Sequence, residues 1–92
     1  MMKHSDFSMG TVFWTGSGKW RCTDIGTRTI VAIHLDPVEV VQGPSEKEIY
    51  LLTEVQAAED GWFDGPPYAV GESVFDENDL EGCYFTQEEA NL

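Results

Sequence analysis

The sequence is poor in basic residues and has no long apolar run. Only five of its 92 residues are Lys or Arg, against 17 Asp and Glu, which gives a formal net charge of −12. A surface this negative repels phosphate, so we expect no direct, sequence-independent binding to nucleic acid. No run approaches the roughly 18 apolar residues that span a bilayer, and the first residues lack the apolar stretch of a signal peptide. We therefore expect a cytoplasmic protein whose partners are basic or neutral.

Cysteine is also scarce, which bears on metal and redox chemistry. Cys22 and Cys83 lie far apart in the chain, and His4 and His34 add no closely spaced partner. Structural zinc sites use close ligand pairs, so we predict no metal and no cofactor. The apolar and aromatic neighbours of both cysteines favour buried, reduced thiols, with a disulfide or a reactive thiol as alternatives.

The sequence also contains a partial match to a calcium-binding loop. Acidic residues and a glycine occupy its positions 1, 3, 5, 6 and 12, at Glu77, Asp79, Glu81, Gly82 and Glu88. Glu replaces the usual Asp at ligand positions, and residues 73–75 resemble a strand rather than an entering helix. The pattern therefore disfavours calcium.

Candidate catalytic groups are equally few. Asp24 near Arg28, and His34 in an apolar strand, are the notable polar groups of the first 35 residues, and they match no triad. The short Gly16-Ser17-Gly18 segment lacks the length and the following helix of a phosphate-binding loop. We predict that the protein is not an enzyme.

The length and an apolar fraction of 41% fit a single folded domain over residues 1–92. Residues 1–9 have no periodicity and read as a flexible leader, and residues 87–92 as an acidic tail. The predicted core is listed by its apolar and aromatic character: Val12, Trp14, Trp20, Cys22, Ile30, Ala32, Leu35, Leu52, Val55, Phe63, Tyr68, Val70, Val74 and Phe75.

Alternating and β-branched residues predict an antiparallel meander of strands at 11–15, 19–23 and 28–35. Trp20 and Cys22 share one face of the second strand and Arg21 the other. The third strand is apolar on both faces except at His34 and should be central. Residues 68–76 predict a further strand with a bulge or bend at Gly71, residues 77–82 a turn or single helical turn, and 83–85 a last strand.

Residues 38–42 and 48–52 predict a hairpin around a turn at 43–45, followed by a short helix. Thr53 and Gln56 form the capping box of that helix, although Ser45 and Glu48 form a competing one. These elements favour a mainly β fold, a small and strongly bent antiparallel barrel of the SH3-like kind with one short helix. The alternative is an α+β sandwich.

Charge is distributed unevenly along the chain. Residues 1–35 hold four cations and two acids, whereas residues 36–92 hold 15 acids and Lys47, for net charges of +2 and −14. This asymmetry predicts an acidic interaction module that binds a basic surface, as a nucleic-acid mimic in an Arg/Lys groove. The predicted partner-binding residues are Glu72, Asp76, Glu77, Asp79 and Glu81, flanked by Glu59, Asp60 and Asp64. In the alternative, the acids serve only solubility.

Residues 61–67 combine aromatic residues, glycine and two prolines, which excludes regular structure, and Tyr68 follows them. Its aromatic residues, Trp62, Phe63 and Tyr68, favour anchoring of the loop to the core. The alternative function places them in a small-barrel module that binds a protein or peptide.

Three segments look like those of a small family of uncharacterised bacterial and mobile-element proteins: residues 20–28 (WRCTDIGTR), 65–70 (GPPYAV), and 74–77 (VFDE) with 81–83 (EGC). The resemblance spans most of the chain and implies no activity. In size and acidity alone, the protein is also similar to phage-encoded inhibitors of CRISPR effectors that imitate DNA, without a shared motif.

Overall fold

The structure is a computed structural model that describes residues 1–35, 38–42 and 48–92, with the backbone alone for 38–42 and 48–51. The strands are β1 (Val12–Thr15), β2 (Gly18–Ile25), β3 (Ile30–His34), β4 (Val38–Gln42), β5 (Glu48–Leu52) and β6 (Glu72–Phe75). A helix, α1 (Glu54–Glu59), follows β5, and two 3-10 turns span His4–Asp6 and Asp79–Gly82. Among the described residues, no helix is long and apolar enough to cross a membrane.

The main sheet has four antiparallel strands in the order β1-β2-β3-β6, and β4 and β5 form a separate antiparallel pair. The predicted meander, its central third strand and the hairpin of β4 and β5 are confirmed, as is the mainly β fold with one short helix. The four-stranded sheet is open, with β1 and β6 at its edges, so closure into a barrel is not confirmed. The turn predicted at 43–45 and the capping residue Ser45 lie outside the described residues.

Both faces of the main sheet are covered by apolar side chains because β3 is apolar on both faces from Ile30 to Ile33. Ile30 and Ala32 point to one face and Ile33 to the other, together with Leu35 just beyond the strand. The first cluster comprises Met2, Phe7, Phe13, Cys22, Ile30, Ala32, Leu80 and Cys83, with Trp20, Ile25 and Phe75 packed against it. The second comprises Ile33, Leu35, Ala57 and Phe63, surrounded by Leu52, Trp62, Tyr68 and Val70.

Three predicted core residues are wrong: Val12, Val55 and Val74 are exposed. In β1 the buried side chain is Phe13, whose ring contacts those of Phe7, Trp20 and Phe75. Successive strand residues alternate between faces, so burying Phe13 turns Val12 away from the first cluster.

The ends of the chain take part in the fold. Met2, in the segment expected to be a flexible leader, is 2% exposed, and its N–H donates to the Cys83 carbonyl at 2.9 Å. Phe7 is buried against Phe13. In the segment expected to be an acidic tail, Ala90 is buried. Sequence periodicity did not anticipate these contacts, because each residue packs singly rather than as part of an element.

Helix α1 begins where the sequence predicts. The Thr53 hydroxyl accepts from the Gln56 N–H at 3.2 Å, and the Gln56 side-chain oxygen accepts from the Thr53 N–H at 3.1 Å. This reciprocal cap satisfies two backbone donors that a helix start leaves unpaired. The competing helix start is wrong at Glu48, which lies in β5.

The last predicted strands are shorter than expected. Residues 68–71 do not join β6, because Tyr68 and Val70 pack into the second cluster instead. Residues 83–85 contribute a single bridge, from Tyr84 to Trp14. The main sheet is irregular in β2, where the register shifts between Cys22 and Asp24, and not at Gly71.

Candidate functional site

The strongest group of acidic side chains lies on β6 and the turn that follows it. Five carboxylates occur within residues 72–81, and all five residues are exposed: Glu72, Asp76, Glu77, Asp79 and Glu81. At about 3.3 Å per residue, Glu72 is about 13 Å along the chain from Asp76. We call these five residues the acidic edge.

The backbone of the acidic edge is held by its own side chains. Asp76 accepts at Oδ1 from the N–H groups of Asn78 and Asp79, at 2.9 and 3.0 Å. Asp79 accepts in return at Oδ2 from the Asp76 N–H at 3.0 Å. Ionised carboxylates are strong acceptors for such backbone donors. Asp76 and Asp79 therefore shape the turn while remaining exposed.

Arg28, in the turn between β2 and β3, pairs with Glu77. Its Nε donates to Oε1 at 2.9 Å and its Nη2 to Oε2 at 3.3 Å. This hydrogen bond lowers the pKa of Glu77 and raises the pKa of Arg28. Both side chains are largely exposed, so the pair is screened by solvent and contributes little to stability. With Arg28 included, the acidic edge has a formal charge of −4.

The Glu72 side chain contacts Thr23, which lies where the register of β2 shifts. The Thr23 hydroxyl lies 3.0 Å from Glu72 Oε1 and 3.3 Å from the Val31 carbonyl, and Thr23 is buried. These contacts satisfy the hydroxyl and fix one carboxylate oxygen of Glu72 over the sheet, on the face opposite Phe75.

The flanking acids lie on other elements than the acidic edge. Glu59 ends α1, Asp60 follows it and Asp64 belongs to the next loop; all three are exposed. Ala57, in the same helix, packs in the second cluster with Ile33. The predicted flanking residues are therefore carried by α1 and its loop, whereas the acidic edge is carried by β6 and the turn at 76–82.

Cations of the first 35 residues connect α1 and the loop after it to β2. Lys19 of β2 forms an ion pair of 2.8 Å with Glu54 of α1, and the Arg21 guanidinium donates to the Phe63 carbonyl. Sequence reasoning missed these roles, although the opposite net charges of the two parts of the chain were the available signal.

The aromatic loop is anchored as the sequence favours. Phe63 is 4% exposed in the second cluster, and Trp62 and Tyr68 pack partly buried against that cluster. A Cβ at Gly65 would lie 2.6 Å from the Tyr68 ring, so the ring packs directly over the glycine. The contacts assign all three aromatic residues to packing, which leaves less of their surface for a partner.

Both cysteines are buried, and His34 packs against an aromatic ring. Cys22 and Cys83 are free and buried, which confirms the predicted burial of the thiols. Burial raises the pKa of Cys22, and it raises the pKa of Cys83 to about 11, so both are poor nucleophiles at neutral pH. The His34 ring lies 4.3 Å from the Trp20 ring, and its Nε2 is 3.0 Å from the Ser17 carbonyl.

A small cavity of about 300 Å³ lies between β1, β2, α1 and the C-terminal residues, lined by Trp14, Gly18, Lys19, Glu54, Gln87 and Leu92. The Lys19 ammonium is 5.8 Å from the centre of the Trp14 ring and is paired with Glu54. Within the described part of the chain, no three His, Cys, Asp or Glu residues are placed to hold a metal ion.

Comparisons with known proteins assign the chain to no family. No protein-family profile, no curated protein and no solved structure matches it. The resemblance of the segments at 20–28, 65–70 and 74–83 stays a prediction.

Proposed function

We propose that this protein is a non-enzymatic acidic interaction module that binds a basic protein surface through the acidic edge. The observation that carries the proposal is the exposure of five carboxylates within ten residues, of which Glu77 is paired with Arg28. The proposed partner is an Arg/Lys-lined groove of a nucleic-acid-binding complex, such as a CRISPR effector. There the carboxylates would replace phosphates and block the nucleic acid.

The support is electrostatic and geometric. Asp76 and Asp79 are fixed by backbone hydrogen bonds, and Glu72 is held by Thr23. Carboxylates on an ordered backbone lose less conformational freedom on binding than those on a flexible tail. A field of one sign also accelerates encounter with an oppositely charged groove, and the effect weakens as salt is added.

The test is competition for a CRISPR surveillance complex against its labelled DNA target. We expect the protein to displace DNA at about 50 mM salt and to do so far less at about 200 mM. The informative variant combines Asp76→Asn, Glu77→Gln, Asp79→Asn and Glu81→Gln, which changes the formal charge from −12 to −8. Asn keeps the acceptor oxygens that shape the turn, so the fold is preserved while competition is lost.

The matched control separates local charge from net charge. Glu77→Gln with Glu81→Gln removes two exposed carboxylates of the acidic edge, and Glu88→Gln with Glu89→Gln removes two near the C-terminus. Only the first pair should weaken competition. Equal effects of both pairs, or no displacement of DNA at low salt, would refute the proposal.

The alternative, a peptide-binding module that uses the aromatic loop, makes the opposite prediction. Its binding would be insensitive to salt, and Trp62→Ala would weaken it more than the acidic-edge substitutions. The burial of Phe63 argues against it, because the loop already uses its central ring in the core.

A further inference from the structure

The outer edge of β6 is a position where another strand can pair with the sheet. In the sheet order β1-β2-β3-β6, both outer strands have an edge away from their neighbour. Tyr84 covers part of the β1 edge, since its N–H and carbonyl pair with those of Trp14 at 2.8 and 2.9 Å. Among the described strands, β6 pairs with β3 alone. Within residues 1–35, 38–42 and 48–92, no strand therefore pairs with its outer N–H and carbonyl groups.

Burial agrees with an open edge. Glu72, Ser73 and Val74 are all exposed, and Val74 is 65% exposed although it is apolar and lies in a strand. Phe75 alone turns inward, against Phe13 and Trp20. An uncovered strand edge with an exposed valine is a template for pairing with another chain.

We propose that β6 binds an extended basic segment of the partner by strand addition, in which the segment continues the sheet beyond β6. This inference rests on the proposed function and specifies how the acidic edge is used. Main-chain hydrogen bonds would supply affinity, and alternate side chains would supply specificity.

The side chains of β6 define the sequence of that segment. Glu72 and Val74 lie on one face, and Asp76 follows at the end of the strand. Directly opposed residues of adjacent strands bring their Cβ atoms within about 5.5 Å, so charge and shape must match. The best occupant has a basic residue opposite Glu72, an apolar residue opposite Val74 and a second basic residue near Asp76. This gives the alternating pattern basic-x-apolar-x-basic.

A second copy of this chain is a poorer occupant. Antiparallel pairing of two β6 strands would bring Glu72 of each copy near the acidic turn that begins at Asp76 of the other. Like charges on adjacent strands are destabilising, and an inward or flanking charge is a common protection of sheet edges against self-association. The same charges favour a basic strand.

The experiment uses the full chain and synthetic peptides. The probe is the acetylated, amidated peptide Thr-Lys-Thr-Val-Thr-Lys-Thr, and its control carries Glu in place of both Lys. Binding is followed by amide chemical shifts and hydrogen exchange at about 50 mM salt, where charge contacts are strong. We expect the basic peptide to bind, to protect outward amides within residues 72–75 from exchange, and to be weakened by Glu72→Gln but not by Glu88→Gln.

N-methylation of the peptide separates strand pairing from charge attraction. Alternate residues of an added strand direct their N–H groups toward β6, and the others direct them away. Methylating one alternate set should weaken binding about tenfold or more, because at least two hydrogen bonds are lost, while the other set is tolerated. If both methylated peptides bind equally, or the basic peptide does not bind, strand addition is refuted. The DNA competition assay would then still test the proposed function, independently of strand addition.

Discussion

Replacing Met2 by Ala tests whether the first nine residues belong to the folded domain. Met2 is 2% exposed in the first cluster, with Cys83 and Leu80 as members of the same cluster. Truncating a buried methionine to alanine costs about 2 to 5 kcal/mol, because apolar contacts are lost and a cavity remains. The backbone hydrogen bond from Met2 to Cys83 is unchanged by the substitution, so the whole effect reports side-chain packing.

That cost is large for a domain of this size. Small domains have free energies of unfolding of about 5 to 15 kcal/mol. Each 1 kcal/mol shifts the melting temperature of such a domain by about 4 to 8 °C, so Met2→Ala should lower it by at least about 8 °C. The change is measured by thermal unfolding followed by circular dichroism, and by urea unfolding for the free energy itself.

Met9 supplies the matched control. It lies in the same segment but is 64% exposed, so Met9→Ala removes the same atoms without opening a cavity and should stay within about 0.5 kcal/mol of the parent. If Met2→Ala is as mild as Met9→Ala, the segment is a flexible leader as its sequence suggests, and the packing of Met2 against the first cluster is refuted.

Two further predictions concern the helix cap and the buried thiols. Thr53→Ala should cost about 0.5 to 2 kcal/mol in urea unfolding, and Thr53→Ser, which keeps the accepting hydroxyl, should cost much less; equal losses would contradict the cap. The pKa of Cys83 is raised from 9.0 to about 11, so its contribution is complete below pH 9 and is lost as the pH rises to about 11. Stability should fall less steeply over that range in Cys83→Ala, and parallel profiles would contradict the role of the thiol.

Sequence patterns predicted the parts of the fold that are fixed by neighbouring residues. The alternation of Trp20 and Cys22 with Arg21 is a local period of two, and it places the first two residues against the first cluster. The helix cap joins Thr53 and Gln56, which are three residues apart in the sequence. Both features are decided by short-range geometry, and the structure confirms both.

Other features depend on contacts that no local pattern specifies. Val12, Phe13 and Trp14 are all apolar, so alternation alone does not say which side chain faces the core. Met2 is buried only because Cys83 and Leu80 arrive from the other end of the chain. The charge of the acidic-edge residues predicts that they are exposed. The pairing of Arg28 with Glu77, in contrast, joins positions 49 residues apart, and no local pattern specifies it.

The uneven distribution of charge serves both the fold and the proposed binding surface. Lys19, Arg21 and Arg28 each reach from the first 35 residues to a group in the second part of the chain: Glu54, the Phe63 carbonyl and Glu77. Three cations of the first part therefore contact the second part, whose net charge is −14, and reduce its repulsion. They neutralise only a small part of that charge. Because Arg28 leaves most of the acidic edge uncompensated, the remaining repulsion is relieved when a basic partner binds there, and attraction should be strongest at low salt.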